Sequence, residues 1–142
     1  MAEFKVTIND PKAGKSYSKA VSTSTFLNKM IRETVSGDDW GLAGYELEIT
    51  GGSDAQGFPM RFDMPGAERR KALLTRGPGV HLDRDGQRKR KSVRGNTIGA
   101  QTVQVNLKVV KYGAKSIPDL LGIPAKEESA AQDEKKAKEA TP

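Results

Sequence analysis

Arg88, Lys89, Arg90, Lys91 and Arg94 fall within one short stretch, GQRKRKSVRGNTI, that contains no acid. Side chains of one sign packed this closely repel, so holding the stretch folded costs energy unless something anionic answers it. Arginine is prominent in the run, and its planar fork suits phosphate oxygens better than a point charge does. Gly86 and Gly95 bracket it, which lets the main chain lie close to a partner. Arg69, Arg70, Lys71, Arg76 and Arg84 extend the same positive region upstream. From Arg69 to Arg94 ten cations face two acids, Asp83 and Asp85, for a net +8; the whole chain carries +6, so the remainder carries −2. The basicity is a localised patch, the electrostatic footprint of a nucleic-acid partner. The bland alternative is a solvated flexible loop, and the density of the RKRK run argues against it.

Other chemistry is weaker. AGKS (Ala13–Ser16) is similar to the end of a phosphate-binding loop, but Asn9 stands where that motif needs its first glycine, and the surroundings read as a hairpin turn. His81 is the only histidine and has no evident nucleophile or orienting partner. Within a basic stretch it suits stacking on a base or a phosphate contact, or stands as an exposed loop residue. Asp83 and Asp85 flank Arg84 and are expected to temper local repulsion by pairing with nearby arginines; no metal is assigned to them. With no cysteine in the chain, thiolate metal sites, disulfides and a cysteine nucleophile are excluded. No catalytic residue, cofactor, metal or small-molecule substrate is implied. No helix-turn-helix, zinc finger or basic zipper is visible, so the expected partner is irregular, folded RNA recognised through shape and phosphates.

The elements that position the patch read mainly as strands. FKVTIN (Phe4–Asn9) alternates apolar and polar residues, a half-buried strand with Phe4, Val6 and Ile8 on one face. The DPKAGK turn leads to a partner strand, Ser16–Val21, with Tyr17, Lys19 and Val21 on one side. TSTFLNKMIRETV predicts a short amphipathic helix: Thr23 or Ser24 caps it, Phe26–Met30, Leu27–Ile31 and Ile31–Val35 are i, i+4 pairs, and Gly37 ends it. YELEIT (Tyr45–Thr50) is a further strand, followed by GGSDAQGFPM as a long glycine-rich loop. RRKALLT (Arg69–Thr75) is a strand broken by Gly77–Gly79, and the basic run after it is expected as an extended loop between strands. QTVQVNLKVVKY (Gln101–Tyr112) is the clearest strand, with Val103, Val105, Leu107 and Val109 facing one way and Gln104, Asn106 and Lys108 the other. SIPDLLGIP reads as a helical turn started by Pro118 and ended by Gly122.

The chain has 142 residues, 35% hydrophobic and 30% charged, enough for one modest core plus a tail. The expected architecture is a small, mainly antiparallel β-barrel over residues 1–123 with short helices and long basic loops, the RNA-binding segment being residues 69–98. From Pro124 to Pro142 no Val, Leu, Ile or aromatic residue occurs, so residues 124–142 are expected as a disordered charged tail. The N-terminus lacks the layout of a signal peptide and no apolar run reaches the length of a spanning helix, so an intracellular protein without a membrane partner is expected.

Three separated segments resemble one family in order: the opening FKVTINDPKAGKSY, then ITGGSDAQGFPM (Ile49–Met60), then RKRKSVRGNTI. The chain is identified as a member of the S-six-e family of small-subunit ribosomal proteins of archaea and eukaryotes, in a short, archaeal-type form. The resemblance implies a structural constituent of the cytoplasmic small ribosomal subunit, not an enzyme, with ribosomal RNA and neighbouring ribosomal proteins as partners. It implies that Gly51, Gly52, Asp54, Gly57, Pro59 and Met60 shape a rigid loop, and that Arg88, Lys89, Arg90, Lys91 and Arg94 meet ribosomal RNA. The long basic C-terminal helix with phosphorylatable serines found in eukaryotic members has no counterpart here: after position 116 the only serine is Ser129, and the tail sets four lysines against five acids. An RNA-binding or chaperone protein outside the ribosome is the alternative.

Overall fold

The computed structural model describes residues 3–122. It is mainly β: seven strands, one five-residue α-helix and a short 3₁₀ turn at Asp38–Trp40. In chain order the elements are β1 (Glu3–Asp10), β2 (Lys15–Ser22), β3 (Thr34–Ser36), β4 (Glu46–Asp54), β5 (Arg69–Leu74), β6 (Lys89–Arg94), β7 (Thr102–Lys111) and α1 (Ile117–Leu121). Five of them form one sheet in the order β2-β1-β7-β4-β3, which curls into a half-barrel; β5 and β6 form a separate two-stranded ribbon. Every pairing is antiparallel except that of β1 with β7. Among the described residues no helix is long and apolar enough to cross a membrane. The expected disordered tail, 124–142, lies outside the described residues.

The period-two readings place the core. Phe4, Val6 and Ile8 of β1 are fully buried, as are Leu47 and Ile49 of β4 and Val105 and Leu107 of β7, all lining the concave side with Phe26, Leu42 and Ile98. Phe4 meets Phe26 edge-on at 5.7 Å between ring centroids, and Phe26 meets Trp40 at 5.6 Å. Between β1 and β2 the turn is made by Asp10: its Oδ1 accepts the amides of Lys12 (2.9 Å) and Ala13 (3.2 Å) and the hydroxyl of Tyr112 (2.8 Å). AGKS is therefore the end of a hairpin turn running into β2. Tyr17, Lys19 and Val21 share the inner side of β2, and α1 ends at Gly122, which takes the left-handed conformation at φ 64°.

Four expectations need correction. No helix forms between Thr23 and Val35. Asn28 and Arg32 hold positive φ (65° and 76°), and three of the segment's amides bond outside it: Asn28 N donates to Ile98 O, Ile31 N to Asn96 O and Arg32 N to Ile49 O. Partners far away in sequence win even though the segment holds Leu27, Lys29, Met30, Arg32 and Glu33, residues that favour a helix. Phe26 is fully buried while Met30 is half exposed, so the i, i+4 pair does not share a face. Second, the first residues of GGSDAQGFPM are not loop: Gly51–Asp54 continue β4 past a register shift at Ile49/Gly51. Third, a second shift, where Ser53 pairs with Gln104 but Asp54 pairs with Thr102, leaves Val103 unpaired and exposed and turns Thr102 inward. This is a bulge, and it breaks the alternation expected along β7. Fourth, the basic run Lys89–Arg94 is a strand and not a loop.

Candidate nucleic-acid interface

The ribbon pairs Arg69 with Arg94, Arg70 with Val93, Lys71 with Ser92, Ala72 with Lys91, Leu73 with Arg90 and Leu74 with Lys89. An isolated two-stranded ribbon is marginal in water, and like charges directly opposite each other weaken it further. This one is tied down at the Arg69–Arg94 end. Arg94 N donates to Pro59 O (2.8 Å), Arg61 N to Arg94 O (2.9 Å) and Gly95 N to Glu68 O (3.2 Å), and Val93 beside Arg94 is buried.

Asp54 completes the attachment. Its Oδ2 accepts Arg94 Nε at 2.9 Å and Arg69 Nη2 at 2.8 Å, so one carboxylate answers the two opposed arginines. Its Oδ1 accepts the amides of Gln56 (3.0 Å) and Phe58 (2.9 Å). Arg94 also donates from Nη1 to Ala67 O at 2.7 Å and from Nη2 to Gln101 Oε1; Arg69 donates to Gln56 Oε1 and lies 4.4 Å over the Phe58 ring. Asp54 is 3% exposed and Arg94 4%. Burial by itself would raise the Asp54 pKa. Hydrogen bonds from Arg94, the Phe58 amide and Arg69 outweigh it and hold the carboxyl at about 2.

The loop residues expected to be structural take specific places here. Gly52 lies so close to β7 that a Cβ would stand 2.3 Å from the Gln104 carbonyl oxygen, a distance no side chain tolerates. Gly57 turns the chain at φ 83° between the two amides held by Asp54. Met60 N donates to Gly52 O, and Pro59 supplies the carbonyl for Arg94.

The ten cations of the basic segment separate into three sets. Arg69 and Arg94 are engaged inward. Lys89 donates to Asp83 Oδ2 at 3.0 Å and to His81 O at 3.2 Å, and Arg70 makes only a long contact of 3.9 Å with Glu68. Asp83 thus pairs with a lysine, not with the arginines expected. Lys71, Arg76, Arg84, Arg88, Arg90 and Lys91 are exposed and join no ion pair among the described residues. By strand alternation Lys71 shares a ribbon face with Arg90, and Lys91 lies on the other face. His81 is exposed, and its carbonyl is what the ribbon uses. No group of three or more His, Asp or Glu side chains that could hold a metal comes together among the described residues. Sequence reasoning missed Ala67, Gln101 and Phe58, which hold the inward arginines and carry no charge pattern to mark them. It did single out Asp54, the one acid inside a glycine-rich stretch.

Fold and site together define a class: a small β-protein with a cation-rich ribbon fastened outside its core by a buried ion pair. The family model of Ribosomal protein S6e matches residues 4–122, and the chain belongs to that family. It is 46% identical over 123 residues to the small ribosomal subunit protein eS6 of Methanocaldococcus jannaschii, covering 87% of this chain and 94% of the relative. It is 45% identical to the eS6 protein of Methanocella arvoryzae (92% and 94% covered) and 43% identical to that of Methanoculleus marisnigri (93% and 100% covered).

Proposed function

We propose that this protein is a structural constituent of the cytoplasmic small ribosomal subunit and holds ribosomal RNA on the β5–β6 ribbon and its connecting loop. One observation carries the reading: six exposed cations, Lys71, Arg76, Arg84, Arg88, Arg90 and Lys91, have no anion of their own among the described residues. Crowded phosphates supply what they lack, and releasing the counterions of RNA drives the association. The half-barrel, with the ribbon docked beside it, acts as a small rigid barrel domain. Arg69 and Arg94 position the ribbon, while the open cations touch RNA. Neighbouring ribosomal proteins are the remaining partners.

The test is a salt titration of binding to small-subunit RNA. Replacing Arg88, Arg90 and Lys91 together by Ala should weaken binding across sequences and flatten the log–log salt slope by about 2 to 3, with the melting temperature kept. An unchanged slope refutes the assignment. Sedimentation with small subunits at one copy each separates a constituent from a free RNA chaperone.

A further inference from the structure

Away from the open faces of the ribbon lies a groove of about 550 Å³, between the turn at Ile31–Arg32, β4, Phe62 and the turn at Gly77–Pro78. Its floor is apolar, with Ile49 and Met60 buried beneath it. Its walls carry an exposed ring and charge. Phe62 is 56% exposed, an unusual position for a side chain whose burial is so favourable. The Arg32 guanidinium lies 4.4 Å from the centre of that ring. Arg32 also holds its backbone at φ 76°, with its amide donating to Ile49 O at 2.7 Å. A non-glycine residue keeps this conformation only where its surroundings enforce it, and such residues cluster at binding sites. The turn that carries Arg76 is pinned as well: Arg61 Nη1 donates to Arg76 O at 3.1 Å while the same guanidinium holds Asp63. Glu48 is among the lining residues, and its carboxylate makes no hydrogen bond or ion pair among the described residues.

We propose that this groove receives one unpaired guanine of a bound RNA strand. The proposal rests on the RNA-binding reading above and names how one base is taken. An apolar floor suits a flat heterocycle and not a phosphate. Phe62 and the Arg32 plane are the kind of surface on which an unstacked base stacks, and Arg32 and Arg76 stand ready for the phosphates on either side. Glu48 selects the base. An ionised carboxylate only accepts hydrogen bonds, through two oxygens. Guanine alone presents two adjacent N–H donors, N1 and N2, on its pairing edge; adenine, cytosine and uracil each place an acceptor beside their donor.

The experiment uses the full chain and three ten-nucleotide RNAs: all uridine, or uridine with a central guanosine or a central adenosine. Binding is read by fluorescence anisotropy at several salt concentrations. The guanosine RNA should bind tightest. Phe62→Ala should cost it about tenfold, the scale of one lost base stack, while all-uridine binding and its salt slope stay as they were; Phe62→Tyr should retain the preference. Glu48→Gln should abolish the advantage of guanosine over adenosine and keep the advantage of both over uridine. Equal binding of the three RNAs by the unmodified chain, or equal weakening of all three by Phe62→Ala, overturns the groove assignment and leaves the ribbon reading standing. That outcome is also the one expected if the groove instead seats a protein side chain. Absence of salt-dependent binding to any of the three defeats both readings.

Discussion

Arg90 and Arg94 lie on the same face of the same strand, four residues apart, and live in different worlds. Arg94 is 4% exposed and hydrogen-bonded to Asp54, Ala67 and Gln101. Arg90 is exposed and joins no ion pair among the described residues. The difference lies in what the rest of the fold brings to each end of the ribbon. At the Arg94 end, the last residue of β4 delivers a carboxylate, and the loop after it two carbonyls and an apolar ring. At the Arg90 end there is the open loop of residues 75–88. A run of like charges is therefore not one functional unit. One end fastens the ribbon to the body, and the other stays open to solvent.

The sharpest way to break this contrast is Asp54→Asn. It leaves two buried or half-buried guanidinium groups without their anion, and loss of one partner of a buried pair costs about 3 to 5 kcal/mol. The melting temperature should fall by roughly 10 °C or more. A fall of a degree or two would mean that the pair does not fasten the ribbon. Gly52→Val attacks the same attachment through sterics. Its Cβ would enter the Gln104 carbonyl oxygen of β7, so β4 and β7 must separate locally. Overpacking of this kind costs about 1 to 3 kcal/mol, and hydrogen exchange should quicken at Gln104–Asn106 before it does in β1.

Acid titration sharpens the comparison further. The Asp54 pKa is depressed in the folded state to about 2 from the model-compound 3.8. Its contribution is then fully present above pH about 4 and drains away as pH falls through about 2, roughly 2 kcal/mol in all. Denaturant unfolding of the unmodified chain between pH 4 and 2 should therefore fall more steeply than that of Asp54→Asn; parallel curves would remove the carboxylate from the account. At the small end of the scale, Arg90→Ala should change stability by no more than about 0.5 kcal/mol. A larger loss would show that the open end is held by the fold after all.

Legibility followed the range of the interactions. Phe4–Val6–Ile8 and Val105–Leu107–Val109 are buried as their alternation implies, because a strand facing a core needs only its own period to declare itself. The turn at Asp10 and the stop at Gly122 were readable for the same reason: their bonds close within a few residues. The Thr23–Val35 segment failed because three of its amides are satisfied by Asn96, Ile98 and Ile49, while its apolar spacing fits a helix just as well. Val103 failed because it is the extra residue of a bulge in β7, which shows only once the pairing with β4 is known. Charge density marked the Arg69–Arg94 segment, but it does not say which of its cations are already answered within the fold.

By itself, the order of residues determined that this chain builds a mainly β core, that its positive charge is concentrated between Arg69 and Arg94, and that it belongs with the S-six-e proteins. Those properties are local or additive, so they survive being read along a line. Only the tertiary structure decided that Asp54 faces Arg69 and Arg94, that the basic run is a strand, and that Arg32, Glu48 and Phe62 share one groove. Each of these depends on which distant segments meet, and a meeting between residues tens of positions apart is settled by the packing of the whole core.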